Sequence, residues 1–460
     1  MEEIKISDDV FEQIKDFERH LTEEENLLVD KLILNEELKQ RFKAFYLCKE
    51  CKQPNTGSNY WCRPCNAKRF QQNFKNWTSG NCDVDKFIQK TQLEAKNCLE
   101  VLEWIEYDRF EDIKYLAKGG FGTTYKAIWK DGYIYSWDPK NNKWKRSKHY
   151  EYQQVHVVLK CLHNSQNITA EFLREVELHV LVCANANGWI IRCYGITKDP
   201  ETNNFMMVMN FVENGSLRQH LDNCFVSLDW KKKLDILRDI AKGLKEIHDS
   251  GLIHHDFHCG NLLNNTNGTF ITDLGLCQPA NVKSSQNDDK EIYGVLPYVA
   301  PEVLRGKVYT QDSDIYAFGI IAYEVCTGLP PYHDIDHEEF LAIKICEGLR
   351  PTSNYEVPQL ILDVIVKCWD ADPSKRPKIA ELLNELIDLR YNNSTISEQF
   401  KEVDEINEKS SSQTVPSLSS TGMLSYTTHS QAIYTSRILD FKNLPEPRNA
   451  DDDDLEFMRI

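Results

Sequence analysis

The stretch His254-His255-Asp256-Phe257-His258-Cys259-Gly260-Asn261 places a carboxylate and a side-chain amide five residues apart. A carboxylate can orient a hydroxyl group and accept its proton, and an amide oxygen can bind Mg²⁺. The sequence Thr272-Asp273-Leu274-Gly275 follows and offers a second oxygen ligand. We therefore take Asp256, Asn261 and Asp273 as the first candidates for a catalytic centre.

Two motifs upstream of this stretch are typical of phosphate binding. The first, Ala117-Lys118-Gly119-Gly120-Phe121-Gly122-Thr123-Thr124, is rich in glycine, which lets backbone N–H groups approach phosphates closely. The second, Val157-Val158-Leu159-Lys160, predicts an interior strand that ends on a lysine. Because a desolvated ammonium needs a partner, we expect an ion pair with Glu175. Glu171, one helical turn earlier, is the alternative partner, and solvated surface charges are the other interpretation.

Later motifs complete an ordered set: Ala300-Pro301-Glu302, the segment 312–319 and Arg376-Pro377. Together the motifs resemble a protein kinase domain of the tyrosine-kinase-like branch over residues 110–390. Residues 294–302 and a Cys-rich N-terminal segment are similar to those of cytoplasmic kinases that form expanded families in some fungi. The resemblance implies an α+β bilobal kinase fold, with a small β-rich lobe followed by a large helical lobe.

The same resemblance implies transfer of the γ-phosphate of ATP to protein hydroxyls in intracellular signalling. Asp256 would be the catalytic base. The ammonium of Lys160, held by Glu175, would face the α- and β-phosphates. Asn261 and Asp273 would hold Mg²⁺. The lineage implies serine or threonine acceptors, with tyrosine or dual specificity left open.

Nucleotide contacts are implied at many positions. Met209 would lie behind the adenine, and backbone groups of Asn210 and Val212 would bond its edge. The full set implied by the resemblance is Ala117, Lys118, Gly119, Gly120, Phe121, Gly122, Thr124, Val158, Lys160, Met209, Asn210, Val212 and Leu263.

Three further positions are structural in such a domain and lie outside its active site. Glu302 and Arg376 would form a buried ion pair. Asp314 would brace the backbone of the stretch 254–261.

The chain departs from the kinase pattern at several places. His255 replaces an arginine that clasps an activation-segment phosphate, so we predict activity without phosphorylation of that segment. His258 replaces a lysine typical of serine/threonine kinases, and Val295 replaces a threonine. Ala117 and Thr124 alter the glycine-rich loop. A pseudokinase scaffold that binds nucleotide or partners without phosphoryl transfer is therefore the alternative function.

Two Cys-x₂-Cys pairs, Cys48 with Cys51 and Cys62 with Cys65, are separated by ten residues. Four thiolates at this spacing can bind one tetrahedral Zn²⁺ at about 2.3 Å. Because all four ligands come from the protein, such a site would be structural. Surface thiols or a redox pair are the alternatives.

The chain has 460 residues and a net charge of −17. Nucleic acid is a poor candidate partner, because phosphate binding needs clustered basic charge. No apolar run is long enough to span a bilayer, and the N-terminus lacks the apolar region of a signal peptide. Fifteen cysteines without such a signal indicate a reducing, cytoplasmic location.

We divide the chain into five parts. They are a helical acidic segment 1–47, a four-cysteine zinc-ribbon-like module 48–79, a helical linker 80–107, the kinase domain 108–390 and a disordered acidic tail 391–460. Protein partners could bind the four-cysteine module or the tail. Residues 129–155 predict an extended hairpin that is either a docking element or an elaborated edge. Residues 432–439 form an apolar patch that is either a docking motif or without function.

Overall fold

The computed structural model describes residues 5–17, 20–118, 122–147, 154–162, 165–166, 168–185, 188–280, 292–392, 394–410 and 426–450. These residues divide into two compact units, one within 1–184 and 192–211, the other within 185–191 and 212–460. Three residues of the glycine-rich loop, Gly119, Gly120 and Phe121, lie outside the described ranges. Within those ranges, no helix combines the length and apolar character required to cross a bilayer.

The first unit begins with five helices. They are α1 (Asp8–Ile14), α2 (Glu23–Leu32), α3 (Glu36–Phe45), α4 (Arg63–Asn73) and α5 (Cys82–Glu94). Side chains cap the first three: Ser7, Thr22 and Asn35 each accept a hydrogen bond from a backbone N–H of the first turn. The apolar faces of α1 to α3 pack into one small core of their own.

A mostly antiparallel sheet follows in the same unit. The strands are β1 (Glu103–Trp104), β2 (Phe110–Lys118), β3 (Gly122–Trp129), β4 (Ile134–Asp138), β5 (Lys143–Arg146), β6 (Val155–Leu162), β7 (Cys193–Lys198) and β8 (Phe205–Asn210), with α6 (Ala170–Asn185) after β6. Six strands form the main sheet in the order β1-β7-β8-β6-β3-β2, and β4 pairs with β5 in a separate two-stranded sheet. Trp129, Val157, Leu159 and Val208 are buried in the core of the main sheet.

The predicted hairpin within 129–155 is present as β4 and β5, and it packs on the Cys-rich segment. The Trp144 ring stacks on Phe70 at 4.5 Å between centroids and on Trp61 at 5.9 Å. The Arg69 guanidinium lies over Trp137 at 4.5 Å. The hairpin therefore docks within its own unit.

The second unit is mainly helical. Its elements are α7 (Leu217–Cys224), α8 (Trp230–Asp249), β9 (Leu252–Ile253), β10 (Leu262–Asn265), β11 (Gly268–Ile271), β12 (Gln278–Pro279), β13 (Ile292–Gly294), α9 (Pro301–Leu304), α10 (Gln311–Thr327), α11 (Glu339–Cys346), α12 (Gln359–Cys368), α13 (Ile379–Tyr391), α14 (Ile396–Ser410) and β14 (Arg437–Leu439). Helix α8 packs against α10 and α13. A β-rich unit followed by a larger helical unit confirms the predicted α+β class.

The expectation of a disordered tail over 391–460 is wrong for two segments. Helix α14 packs on the second unit, where Trp230 stacks on Phe400 and donates a 2.8 Å hydrogen bond to Asp404. Residues 426–450 also lie on this unit, and they bury Leu439 and Leu444. The tail is polar on average, but it contains a few apolar residues that are buried in the folded chain. Residues 411–425 and 451–460 of the predicted disordered tail fall outside the described residues.

Candidate active site

The loop between β9 and β10 carries Asp256 and is held by the first turn of α10. The carboxylate of Asp314 accepts hydrogen bonds from the backbone nitrogens of His254 at 2.8 Å and His255 at 3.2 Å. His255 has a left-handed φ of 76°, which is unfavourable for a residue with a side chain. The two hydrogen bonds offset that strain, so the brace predicted for Asp314 is present.

Asp256 is only 4% exposed, and the amide nitrogen of Asn261 donates to its Oδ2 at 3.2 Å. Its other oxygen, Oδ1, has no hydrogen-bond partner among the described residues. Burial raises the pKa of Asp256, but His258 and the Ser436 hydroxyl lower it by more, so the net shift is downward. An ionised carboxylate with one uncommitted oxygen can accept a hydroxyl proton.

The two predicted magnesium ligands lie on neighbouring backbone segments of this unit. The backbone nitrogen of Thr272, next to Asp273, donates to the carbonyl oxygen of Asn261 at 3.0 Å. Since the Asn261 amide nitrogen is turned to Asp256, the opposite side of that amide presents its oxygen. This oxygen and the Asp273 carboxylate are the hard ligands that suit Mg²⁺. Leu274, the next residue along the chain, is fully buried.

The predicted pair of Lys160 and Glu175 is present in the first unit. The Lys160 ammonium donates to Glu175 Oε1 at 2.8 Å, and the two residues are 8% and 4% exposed. Strand β6 places Lys160 between Thr124 on β3 and Met207 on β8. Because Lys160 and Glu175 are both buried, the interpretation as solvated surface charges is wrong. Glu171 is exposed, so the alternative partner is wrong too.

The remaining residues predicted to contact nucleotide are divided between the two units. In the first unit, Thr124 donates its hydroxyl to the Ala117 carbonyl oxygen at 3.2 Å, and Val158 pairs with Met209 across β6 and β8. Lys118, Gly122 and Asn210 lie on strands of that same sheet. Val212 and Leu263 belong to the second unit.

His258 lies directly beside the Asp256 carboxylate. Its Nδ1 accepts a hydrogen bond from the Gly260 backbone nitrogen at 3.1 Å, so the ring proton lies on Nε2. Nε2 is 3.5 Å from Asp256 Oδ2 and 3.4 Å from the hydroxyl oxygen of Ser436. His258 stands out in the sequence as a departure from the kinase pattern, whereas Ser436 was predicted only as part of the patch 432–439.

The four cysteines of the N-terminal segment converge. The sulfur atoms of Cys48, Cys51, Cys62 and Cys65 all lie within 4.8 Å of one another. Those of Cys48 and Cys65 are 3.8 Å apart, and those of Cys51 and Cys62 are 3.5 Å apart. A tetrahedral Zn²⁺ with bonds of about 2.3 Å requires sulfurs about 3.8 Å apart. The cluster therefore fits a structural zinc ion, and burial of Cys48 and Cys62 argues against surface thiols.

Comparison with known proteins agrees with this architecture. The family model described as protein tyrosine and serine/threonine kinase matches residues 110–386. The probable serine/threonine-protein kinase roco5 of Dictyostelium discoideum is 29% identical over 302 residues, which cover 62% of this chain and 10% of that protein. The dual specificity protein kinase pyk3 of the same organism is 25% identical over 317 residues, covering 67% and 21%.

A plant protein is also similar to part of this chain. The protein kinase and PP2C-like domain-containing protein of Arabidopsis thaliana is 30% identical over 217 residues, which cover 40% of this chain and 33% of that protein. The chain thus spans between a tenth and a third of the length of these relatives. Because the family model covers more than half of the chain, the chain belongs to the protein kinase family.

Proposed function

We propose that this chain is a protein kinase that transfers the γ-phosphate of ATP to serine or threonine hydroxyls of proteins. The observation that carries the proposal is the environment of Asp256. Its carboxylate is buried, its pKa is lowered, and Oδ2 accepts a 2.6 Å hydrogen bond from a serine hydroxyl. This contact has the geometry of a base that holds an acceptor hydroxyl.

Each of the candidate residues would have a separate role in phosphoryl transfer. Lys160, oriented by Glu175, would neutralise charge on the α- and β-phosphates. Asn261 and Asp273 would hold Mg²⁺, which supplies positive charge to the phosphates when bound. Asp256 would orient the hydroxyl and take its proton as the oxygen attacks phosphorus.

The surroundings of Asp256 support an aliphatic hydroxyl as acceptor. Ser436 reaches Oδ2 with a short side chain, and it directly precedes the paired strand β14. His258 Nε2 lies within 3.4 Å of that hydroxyl and occupies the place of the lysine typical of serine/threonine kinases. A tyrosine acceptor would need its backbone several ångströms further from Asp256.

The function is tested by incubating the full chain with Mg·ATP and a serine peptide. We expect phosphate on the peptide, and no transfer above background with Asp256→Asn. Asp363→Asn, an exposed aspartate on α12, is the matched control and should keep full activity. Absence of transfer by the folded wild-type chain would favour the pseudokinase scaffold instead.

A further inference from the structure

Residues 426–450, which we call the docked tail, run across the second unit and contact it at both ends. At one end, the Tyr426 hydroxyl donates to Asp222 Oδ1 at 2.9 Å. Near the other end, the Arg448 backbone nitrogen donates to the Cys346 carbonyl oxygen at 3.0 Å. Between them, Leu439 and Leu444 are 3% and 8% exposed. The docked tail is thus bound through both polar and apolar contacts.

The centre of the docked tail forms a two-stranded sheet with β13. Strand β13 lies near the end of the activation segment, the part of the chain that ends at Ala300-Pro301-Glu302. Strand β14 pairs antiparallel with β13, and Arg437 lies opposite Gly294. The Tyr293 hydroxyl also donates to the Ser436 carbonyl oxygen at 3.1 Å. These bonds fix the position of Ser436 along the surface.

Side chains on both sides of Ser436 hold the register. The Tyr434 hydroxyl donates to the Pro331 carbonyl oxygen at 2.9 Å, and its ring meets His337 edge to face. The Arg437 guanidinium donates to the His337 carbonyl oxygen and lies 3.3 Å from Glu338 Oε1. Ser436 is therefore held between two side chains that each have their own binding place.

The hydroxyl of Ser436 is the one in this segment that faces the catalytic group. Ser436 Oγ donates to Asp256 Oδ2 at 2.6 Å, whereas the adjacent Thr435 is exposed. The contact joins residues that are 180 positions apart in the chain. A serine held this way presents the group that a kinase phosphorylates.

We propose that Ser436 is phosphorylated by its own chain, as an intramolecular acceptor. The inference rests on the kinase activity proposed above. Ser436 Oγ would form a bond to the γ-phosphorus of ATP while the bond from that phosphorus to the bridging β–γ oxygen breaks. ADP leaves, and the hydroxyl proton passes to Asp256.

The reaction would release the docked tail. Phosphoserine carries about −1.5 to −2 charges at neutral pH, and this charge would lie against the Asp256 carboxylate. Like charges in a buried site repel strongly. Before the reaction the docked tail occupies the acceptor position, and after it an external substrate can enter.

The first experiment maps phosphate on the 460-residue chain after it has been treated with phosphatase and then given Mg·ATP. We expect phosphate at Ser436, at a rate constant that stays the same whether the protein is dilute or concentrated. Wild-type protein should not phosphorylate Ser436 of an added Asp256→Asn chain. Ser436→Ala should remove this phosphate, and Thr435→Ala should leave it in place.

The outcomes separate this inference from the proposed kinase activity. A serine peptide that is phosphorylated while Ser436 stays unmodified would overturn the inference and leave the activity standing. A rate that rises with protein concentration would overturn the intramolecular step. Transfer to neither acceptor would overturn the kinase activity, and the inference with it.

A second experiment measures release of the docked tail. A tethered segment acts at an effective concentration on the order of 1 mM, so a peptide at ~0.1 mM competes at a roughly tenfold disadvantage. We expect wild-type protein to phosphorylate such a peptide after a lag, and Ser436→Ala to stay slow. Leu439→Glu, which undocks β14, should abolish the lag and raise the initial rate about tenfold. Equal initial rates for all three proteins would contradict the proposed release.

Discussion

Arg376 and Glu302 form a bidentate ion pair inside the second unit, with Nη1 2.7 Å from Oε1 and Nη2 2.8 Å from Oε2. Both side chains are almost completely buried. The pair was predicted from the motifs Ala300-Pro301-Glu302 and Arg376-Pro377. It connects the end of the activation segment to the chain before α13.

Breaking this ion pair should destabilise the second unit strongly. In Glu302→Gln the Arg376 charge stays buried without its carboxylate, which costs about 3–5 kcal/mol. Lys378→Ala is the control, because it removes an exposed ion pair with Asp312 that contributes at most about 1 kcal/mol. Urea denaturation followed by circular dichroism measures both. A Glu302→Gln loss no larger than the Lys378→Ala loss would contradict a structural role.

The Lys160–Glu175 pair should be needed for catalysis and dispensable for folding. The double variant Lys160→Met with Glu175→Leu replaces a buried ion pair by apolar side chains of similar size, which is often neutral or stabilising. We expect thermal stability to be kept and peptide phosphorylation to fall to the Asp256→Asn background. Glu175→Leu alone should destabilise the protein, because it leaves the ammonium buried. Substantial activity in the double variant would remove Lys160 from the mechanism.

The cysteine cluster should bind one zinc ion per chain and stabilise the first unit. Metal binding of this kind contributes directly to folding. A loss of about 3 kcal/mol would lower the Tm of a unit of this size by roughly 6–12 °C. Cys62→Ser should lose zinc and show this shift, whereas Cys82→Ser, an exposed cysteine outside the cluster, should retain both. Zinc analysis and differential scanning calorimetry test the prediction, and equal zinc in the two variants would refute it.

Docking of residues 426–450 should weaken at acidic pH through His337. His337 Nδ1 lies 3.0 Å from both the backbone nitrogen and the carbonyl oxygen of Ile433, and only the neutral ring can accept from that nitrogen. Burial lowers the pKa of His337 below 6.5, and this effect outweighs the backbone contacts with Ile433 and Tyr332 that raise it. The nearby Arg437 also lowers this pKa, and Asp336 opposes it. The docking contribution is therefore complete above pH 6.5 and is lost as the pH falls below that value.

Limited proteolysis of the docked tail at about pH 7.5 and about pH 5.5, on either side of the ordinary histidine pKa, measures this effect. We expect faster cleavage at the lower pH in the wild-type chain. His337→Asn keeps an acceptor oxygen near the Nδ1 position without a titrating ring, so its cleavage should change less between the two pH values. The same pH dependence in both proteins would assign the effect to another group.

The sequence motifs predicted the residues that form ion pairs or a metal-binding cluster. Glu175 pairs with Lys160, Arg376 pairs with Glu302, and the four cysteines converge. These contacts were predictable because a buried charge needs an opposite charge and a zinc ion needs four ligands. The tail was missed for the opposite reason. Its charge and serine content predict disorder on average, but Leu439 and Leu444 find an apolar surface that only the folded unit provides. No local pattern relates Ser436 to a carboxylate 180 residues away.

Some sequence-based predictions stay predictions. These include the tyrosine-kinase-like branch, the kinship with fungal families and the independence from activation-segment phosphorylation. For the last, the structure adds that the His255 ring lies against Tyr309, with centroids 3.6 Å apart. The histidine thus has an aromatic contact in the place where an arginine would hold phosphate.

The packing of Trp144 affects where a fragment that contains the kinase domain should begin. Its ring lies against Phe70 and Trp61, and β1 pairs with β7 from outside the span that matches the kinase family model. A fragment trimmed to residues 110–386 would lose these partners and expose an aromatic surface on the hairpin, which favours aggregation. The boundary of homology and the boundary of folding differ here, so a workable fragment should begin before Cys48.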